Sequence, residues 1–227
     1  MSVEHGHPRV VVFDFDGTLF DGDLGFEWLR WMLLRSPWRL GLVLLAAPLW
    51  LPLLLLPNGF SAVAACCFWI ATLGAPHTDC REFLDARGAQ LRQRLFPQAL
   101  AALAAHQAAG ERVVIATAEL PALVQGLLSG LPHACPPVLG SQFERGRWAL
   151  RLRLHLLGAR KLDALDAAGY GRHFALSYTD SLRDTPLILS CDCAVLVNFA
   201  HARRARIERH LAALGAATRL DWRDWRC

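Results

Sequence analysis

Two aspartates one residue apart, Asp14 and Asp16 in Asp14-Phe15-Asp16-Gly17-Thr18, follow directly on the β-branched run Val10-Val11-Val12-Phe13. A strand that runs into two carboxylates sets acids at the carboxyl edge of a sheet, where open α/β folds hold their ligands. Other chemistry-bearing side chains fall in comparable places. Thr117 ends the run RVVIAT, Lys161 stands at a helix start, and Asp180 and Asp184 lie in YTDSLRDTP after the run FALSY. Carboxylates that converge repel one another unless a cation neutralises them, and an all-oxygen shell suits Mg²⁺. A hard divalent ion beside one lysine and one hydroxyl suits a phosphoryl group. Lys161 stands out further as the one lysine among 24 basic residues. A turn with capping acids at Asp14 and Asp16 would leave Thr117, Lys161, Asp180 and Asp184 a coincidence.

The elements that must position these residues are legible as alternating patterns. Val10–Phe13 and the runs 112–117, 138–140, 174–178 and 194–197 read as short buried strands. Ala/Leu-rich helical stretches at 98–109, 159–168 and 201–214 separate most of them. Such alternation predicts an α/β fold, a doubly wound parallel sheet. QFERGRWALRLRLH over 142–155 alternates with period two about an Arg-Gly-Arg turn, which predicts a β-hairpin near the third strand. The 227 residues suffice for one such core with an insertion. The expected division is a catalytic core of 1–22 and 110–227, with a helical cap of 23–109 inserted after the first strand.

The composition, 54% hydrophobic and 19% charged, excludes disorder and a solvated coiled coil. The excess of apolar residues is concentrated. Leu40 to Pro76 is a run of 37 residues without a charge, in which Asn58, Ser61 and Thr72 are the polar side chains. Its halves, 40–57 and 60–75, are each near the roughly 17-residue lower limit for crossing hydrocarbon, and Pro57-Asn58-Gly59 between them is a turn signal. Arg30, Arg35 and Arg39 precede the run and Arg81, Arg87, Arg92 and Arg94 follow it, so both ends belong on the cytoplasmic side. An even number of crossings or a re-entrant dip is required, and Pro48 and Pro52 favour a kinked, partly inserted hairpin. The other reading is a helix pair buried against the core. The net charge of +4 resides in the stretch from Ala200, too small a patch to imply nucleic acid. Arg203, Arg204, Arg206 and Arg209 with Trp222 and Trp225 suit either anionic headgroups or a solvated helix face. Seven cysteines without a CxxC pair read as reduced thiols, and Val10–Phe13 is too short for a secretory signal.

DFDGTLFDGD, the strand-terminal Thr117, Lys161 and TDSLRD together resemble the four motifs of the haloacid-dehalogenase superfamily of phosphatases. The resemblance covers nearly the whole chain. It implies a Rossmannoid core and assigns roles: Asp14 the nucleophile that becomes an aspartyl phosphate, and Asp16 the acid and base. It further implies Mg²⁺ on Asp14, the backbone carbonyl of Asp16 and Asp180, with Asp184 supporting, and phosphoryl contacts from Thr117 and Lys161. LLAAPLWLPLLLLP, CCFWIATLG, LRLHLLGARKLDAL and YTDSLRDTPLI look more closely like the phosphatidylglycerophosphatase C family of the bacterial inner membrane. That likeness implies a phospholipid substrate, phosphatidylglycerophosphate, met at the membrane surface by a cytoplasmic catalytic domain. The alternatives are a soluble phosphatase of a small ester such as phosphoserine, with the apolar run as cap core, and a non-catalytic membrane adaptor.

One departure is Ala118-Glu119 after Thr117, where the family has a small residue and then Ser. An inward Glu119 would weaken phosphate binding; the outward orientation, favouring a helix dipole, is the expected one. Asp23 suits either the substrate entrance or an N-cap before LGFEWLRWMLL. His5 and His7 read as part of a disordered terminus, His106 as a helix-surface residue, and Cys191 and Cys193 as small residues flanking a buried strand.

Overall fold

The computed structural model describes residues 9–56, 59–74, 80–131, 134–215 and 217–226. Pro57 and Asn58 of the expected turn, His5, His7 and Cys227 lie outside the described residues. The order is β1 (Val10–Phe13), α1 (Leu24–Leu34), α2 (Pro37–Trp50), α3 (Gly59–Ala71), α4 (Cys80–Arg92), α5 (Pro97–Ala108) and β2 (Arg112–Ala116). Then come α6 (Pro121–Leu128), β3 (Val138–Leu139), β4 (Gln142–Arg145), β5 (Leu150–Leu154), α7 (Ala159–Ala167) and β6 (Phe174–Thr179). The chain ends with α8 (Thr185–Ile188), β7 (Cys191–Val197), α9 (Arg204–Ala213) and β8 (Arg219–Arg223).

Six strands form a parallel sheet in the order β3-β2-β1-β6-β7-β8. β1 is wholly buried because each face of the sheet is covered. Val11 and Phe13 pack with Leu103 of α5, with α6 and with the cap, whereas Val10 and Val12 pack with Leu162 and Leu165 of α7 and with Ile207 and Leu211 of α9. The doubly wound α/β sheet is therefore as the alternation predicts. β4 and β5 form the separate antiparallel hairpin, and Cys191 and Cys193 are buried in β7. From β1 at the middle of the sheet the chain runs outward through β2 to β3, then returns to the other side of β1 as β6. That switch point opens a crevice at the carboxyl ends of the strands.

The apolar run takes two forms. α2 continues as a 3₁₀ turn over Leu51–Leu55, and among these residues Val43 alone is buried. Leu45, Leu49 and Leu55 are 78%, 80% and 89% exposed. Pro48 sits within α2, and Pro52 falls in the tighter turn that follows. α3 is different: Cys67 and Ala71 are buried, and its end is tied to the hairpin, where Thr72 Oγ1 accepts from Leu150 N at 2.9 Å. Trp28 of α1 meets Phe68 of α3 and Phe143 of β4 with ring centroids 5.6 and 6.4 Å apart. The expected pair of helices thus divides into an inner helix within the cap and an outer one whose leucines face outward.

Two segments need comment. The basic stretch holds a helix and an edge strand, Arg219–Arg223, which pairs in parallel with β7. Trp225 is buried against Phe96 and Tyr178, and Trp222 lies under Arg204 and Phe199. Trp225 is therefore part of the core, whereas Trp222 stays partly exposed beside the arginines of α9. His106, expected on the helix surface, is only partly exposed: it hydrogen-bonds Tyr178 Oη at 2.9 Å and pairs with Glu111.

Candidate active site

Asp14 is the first residue beyond β1, and its N–H donates to Tyr178 O of β6 at 2.9 Å, so the sheet ladder itself fixes its Cα. Its Oδ1 accepts from Phe15 N at 2.8 Å and from Lys161 Nζ at 2.8 Å, which leaves Oδ2 to face the crevice. Lys161 reaches this point from the first turn of α7 and is 2% exposed. Its ammonium also meets Asp184 Oδ2 at 2.7 Å, and that oxygen accepts from Thr179 Oγ1 at 3.1 Å. Burial pulls the lysine down, but the two carboxylates outweigh it and hold Lys161 above its ordinary value. It is a fixed positive charge beside Asp14.

The acids are crowded, and Asp14, Asp184 and Glu119 are buried. Burial, with Asp184 and Asp180 adding repulsion against Lys161, pushes Asp14 up to about 7. Burial and then Asp184 push Asp180 up to about 6. Asp180 lies against Gly17: a Cβ there would fall 1.9 Å from Asp180 Oδ2, and φ of +68° independently requires glycine. Asn198, itself at φ 60°, donates from Nδ2 to Gly17 O at 2.9 Å and accepts from Trp225 N at 2.8 Å. The buried end of the chain thereby supports the catalytic loop.

Asp16 accepts from Leu24 N at 2.9 Å, Asp23 accepts from Phe26 N at 2.6 Å, and the Glu119 carboxylate accepts from Gly25 N. Three different acids thus satisfy the first three N–H groups of α1, the orphan donors of a helix start. Glu119 is 8% exposed and contacts Asp16, so the outward orientation expected for it is overturned. The reason is local: α6 begins at Pro121, so Glu119 precedes the helix and turns to the nearer N-terminus, that of α1. A contact between two carboxyl groups needs a shared proton. Burial, then Asp23, pushes Glu119 up to about 8, and burial, then Glu119 and Asp23, holds Asp16 well above the usual carboxylate range. A protonated acid at position 16 is a proton donor.

Asp14, Asp16, Lys161, Asp180 and Asp184 line one cavity of about 500 Å³. Thr117 does not line it. Its side chain is fully buried at the end of β2, where Oγ1 accepts from Glu119 N at 3.1 Å, while its neighbour Ala118 reaches the cavity. Asp23 both caps α1 and lines the entrance. Beyond the acids the wall is apolar: Trp28 and Leu29 of α1, Val63 and Phe68 of α3, Phe143 of β4 and Leu152 of β5. Sequence reading missed His155, Arg183 and Asn198. The first two line the cavity too, brought there by loops whose meeting no local pattern announces.

Residues 11–188, from β1 to the end of α8, match the haloacid dehalogenase-like hydrolase family. The chain belongs to that family. Three solved structures show the same fold. A protein of unknown function from Bordetella pertussis Tohama I is 17% identical, with 95% of this chain and 99% of that chain covered and a TM-score of 0.62. Cytosolic 5'-nucleotidase IIIB bound to cytidine is 16% identical over 96% of this chain and 81% of that one, with a TM-score of 0.64. A phospho-aspartyl intermediate analogue of phosphoserine phosphatase is 11% identical over 96% of each chain, with a TM-score of 0.57. This haloacid dehalogenase-like chain is a hydrolase, and its sheet edge carries the acids and the lysine described above.

Proposed function

We propose that this hydrolase is a phosphomonoesterase that works through an aspartyl phosphate on lipid substrates at a membrane surface, with phosphatidylglycerophosphate as the preferred substrate and phosphatidylglycerol as product. The observation that carries the reading is the continuity of one cavity, from the oxygen of Asp14 to an apolar wall inside the cap. An ester whose alcohol is small and charged gains nothing from such a wall; one with an apolar portion does. The outer leucines of α2 supply the second argument. Soluble chains rarely expose so contiguous an apolar surface, and an apolar helix with Arg35 and Arg39 at its start suits the boundary between headgroups and acyl chains. The run Pro37–Leu55 is long and apolar enough to cross a bilayer. Since α3 returns at once to pack on α1 and the hairpin, we read α2 as lying in the interface.

In the proposed reaction, Asp14 Oδ2 attacks phosphorus as the bond from phosphorus to the ester oxygen breaks. Asp16 delivers its proton to the departing alkoxide. Lys161 balances the charge that spreads over the phosphoryl oxygens. A water, losing its proton to the Asp16 carboxylate, then attacks the aspartyl phosphate, which releases inorganic phosphate and regenerates Asp14. The donor set fits Mg²⁺: the carboxylates of Asp14 and Asp180 and the backbone carbonyl of Asp16 are all oxygen. Among the described residues no group of three or more acidic, His or Cys side chains forms a metal cage. Mg²⁺ does not need one, because it keeps several waters of its own. When bound, the ion would neutralise the crowded acids and polarise the phosphoryl group.

A soluble small-ester phosphatase is the second reading, favoured by Asp23 at the cavity, an acid suited to an ammonium group. Phosphate release measured side by side from phosphatidylglycerophosphate in micelles and from phosphoserine separates the two. Turnover of the lipid at least about tenfold faster supports the first; turnover of phosphoserine alone refutes it.

A further inference from the structure

Arg183 stands one residue before Asp184 in the turn after β6, yet its guanidinium does not join the acids. It extends to the cap, where Cζ lies 4.8 Å over the ring of Phe60 in α3. Phe60 stacks on His155, centroids 5.8 Å apart, and His155 Nδ1 is 2.9 Å from Ser61 Oγ. Arg160, next to Lys161 on α7, donates from Nη1 to His155 O at 3.3 Å. Gly158 lets the two loops meet, since a Cβ there would lie 3.2 Å from Arg183 O. Two arginines therefore flank one histidine where the core loops touch the cap.

Several arginines in this chain are neutralised by an acid: Arg35 has Glu82, Arg94 has Glu27, Arg153 has Glu144 and Arg172 has Asp163. Arg160 and Arg183 pair with no carboxylate among the described residues. Burial and these two cations push His155 down to about 4, so it remains neutral and adds no charge of its own. The cavity that holds Asp14 and Lys161 extends to Phe60, His155 and Arg183. Lys161 already serves the nucleophile, and the guanidinium held at Phe60 is a separate positive end of the same space.

We infer that Arg183, backed by Arg160, binds a second anionic group of the substrate, on the alcohol side of the phosphate that is cleaved. This rests on the phosphomonoesterase reading and narrows its substrate class to esters with an additional acid, as in a phosphodiester-linked lipid or an amino acid phosphate. The planar guanidinium, held over Phe60 and lacking a carboxylate, is preset to take two oxygens of such a group.

The test uses the full chain in detergent micelles with Mg²⁺ and two matched pairs of esters. Phosphatidylglycerophosphate and phosphatidic acid are lipids with and without the extra anion; phosphoserine and p-nitrophenyl phosphate are the soluble pair. Arg183→Gln is expected to raise KM for the doubly anionic member about tenfold relative to its partner, the range of one charge-assisted hydrogen bond at a half-open site. The kcat should stay within about twofold. Arg160→Gln should shift the same ratio less, and Arg183→Lys should restore part of it. The pair that responds, lipid or soluble, identifies the source of the anion. An unchanged ratio in both pairs, with Arg183→Gln and Arg183→Lys folded, overturns the inference. Absence of Asp14-dependent release from all four esters overturns the phosphatase reading and this inference with it.

Discussion

Replacing Leu45, Leu49 and Leu55 together by Gln removes the most exposed apolar side chains of the outer cap helix. Glutamine keeps helix propensity close to that of leucine and adds no charge, so attraction to anionic lipid is unchanged. The three leucines are 78%, 80% and 89% exposed, so the fold draws little stability from them and loses little when they change. Full burial of a leucine is worth about 2 kcal/mol, so at roughly four-fifths exposure three of them contribute about 5 kcal/mol if sunk completely in acyl chains. A helix lying at the interface is immersed by about half, which leaves about 2.5 kcal/mol, or a factor of about 70 in partitioning. Co-sedimentation with vesicles of mixed zwitterionic and anionic lipid reads that factor directly. The triple variant should need about 70 times more lipid for half-binding, lose lipid hydrolysis accordingly, and hydrolyse p-nitrophenyl phosphate as the parent does. Wild-type partitioning by a folded triple variant would refute the claim that this surface meets the membrane.

Lys161→Met should abolish turnover and lower stability at pH 7 by about 3 to 5 kcal/mol, because Asp14 and Asp184 lose the cation that neutralises them while buried. Thermal unfolding measures it, and the deficit should shrink in acid, where the carboxylates can take up protons. Glu119→Gln tests the inward carboxyl. A group that holds its proton to about 8 when folded but releases it near 4.5 when unfolded costs stability as pH rises between those values. Without added metal, the Gln variant should therefore melt more than about 3 °C above the parent at pH 8 and level with it near pH 4.5. Equal melting temperatures at both pH values would mean that Glu119 is ionised and solvated.

What was legible in the chain follows how each element is buried. β1 is covered on both faces, so it reads as an unbroken apolar run, and the acids directly after it are placed by that run. β8 is an edge strand whose RLDWR is partly exposed throughout, so charge dominated its reading and hid its pairing with β7. Pro121 could have corrected the reading of Glu119, since proline favours the first helical position and so sets Glu119 ahead of the helix. The apolar run announced itself by composition, but its division into a packed α3 and an outward α2 depends on the hairpin and on Trp28, which come from distant segments. His155 and Arg183 are 28 positions apart in sequence and meet because the loops before α7 and after β6 share the crevice at the sheet's edge.

The central claim is that Asp14 attacks the phosphate of a lipid ester. Initial rates of phosphate release from phosphatidylglycerophosphate, in micelles with Mg²⁺, compare the parent chain with Asp14→Asn, a variant of nearly the same shape. Rapid release by the parent and a drop of at least about a thousandfold in a folded, vesicle-binding variant are expected. Release that persists in Asp14→Asn, or a parent that leaves the lipid untouched while hydrolysing phosphoserine, would contradict the account.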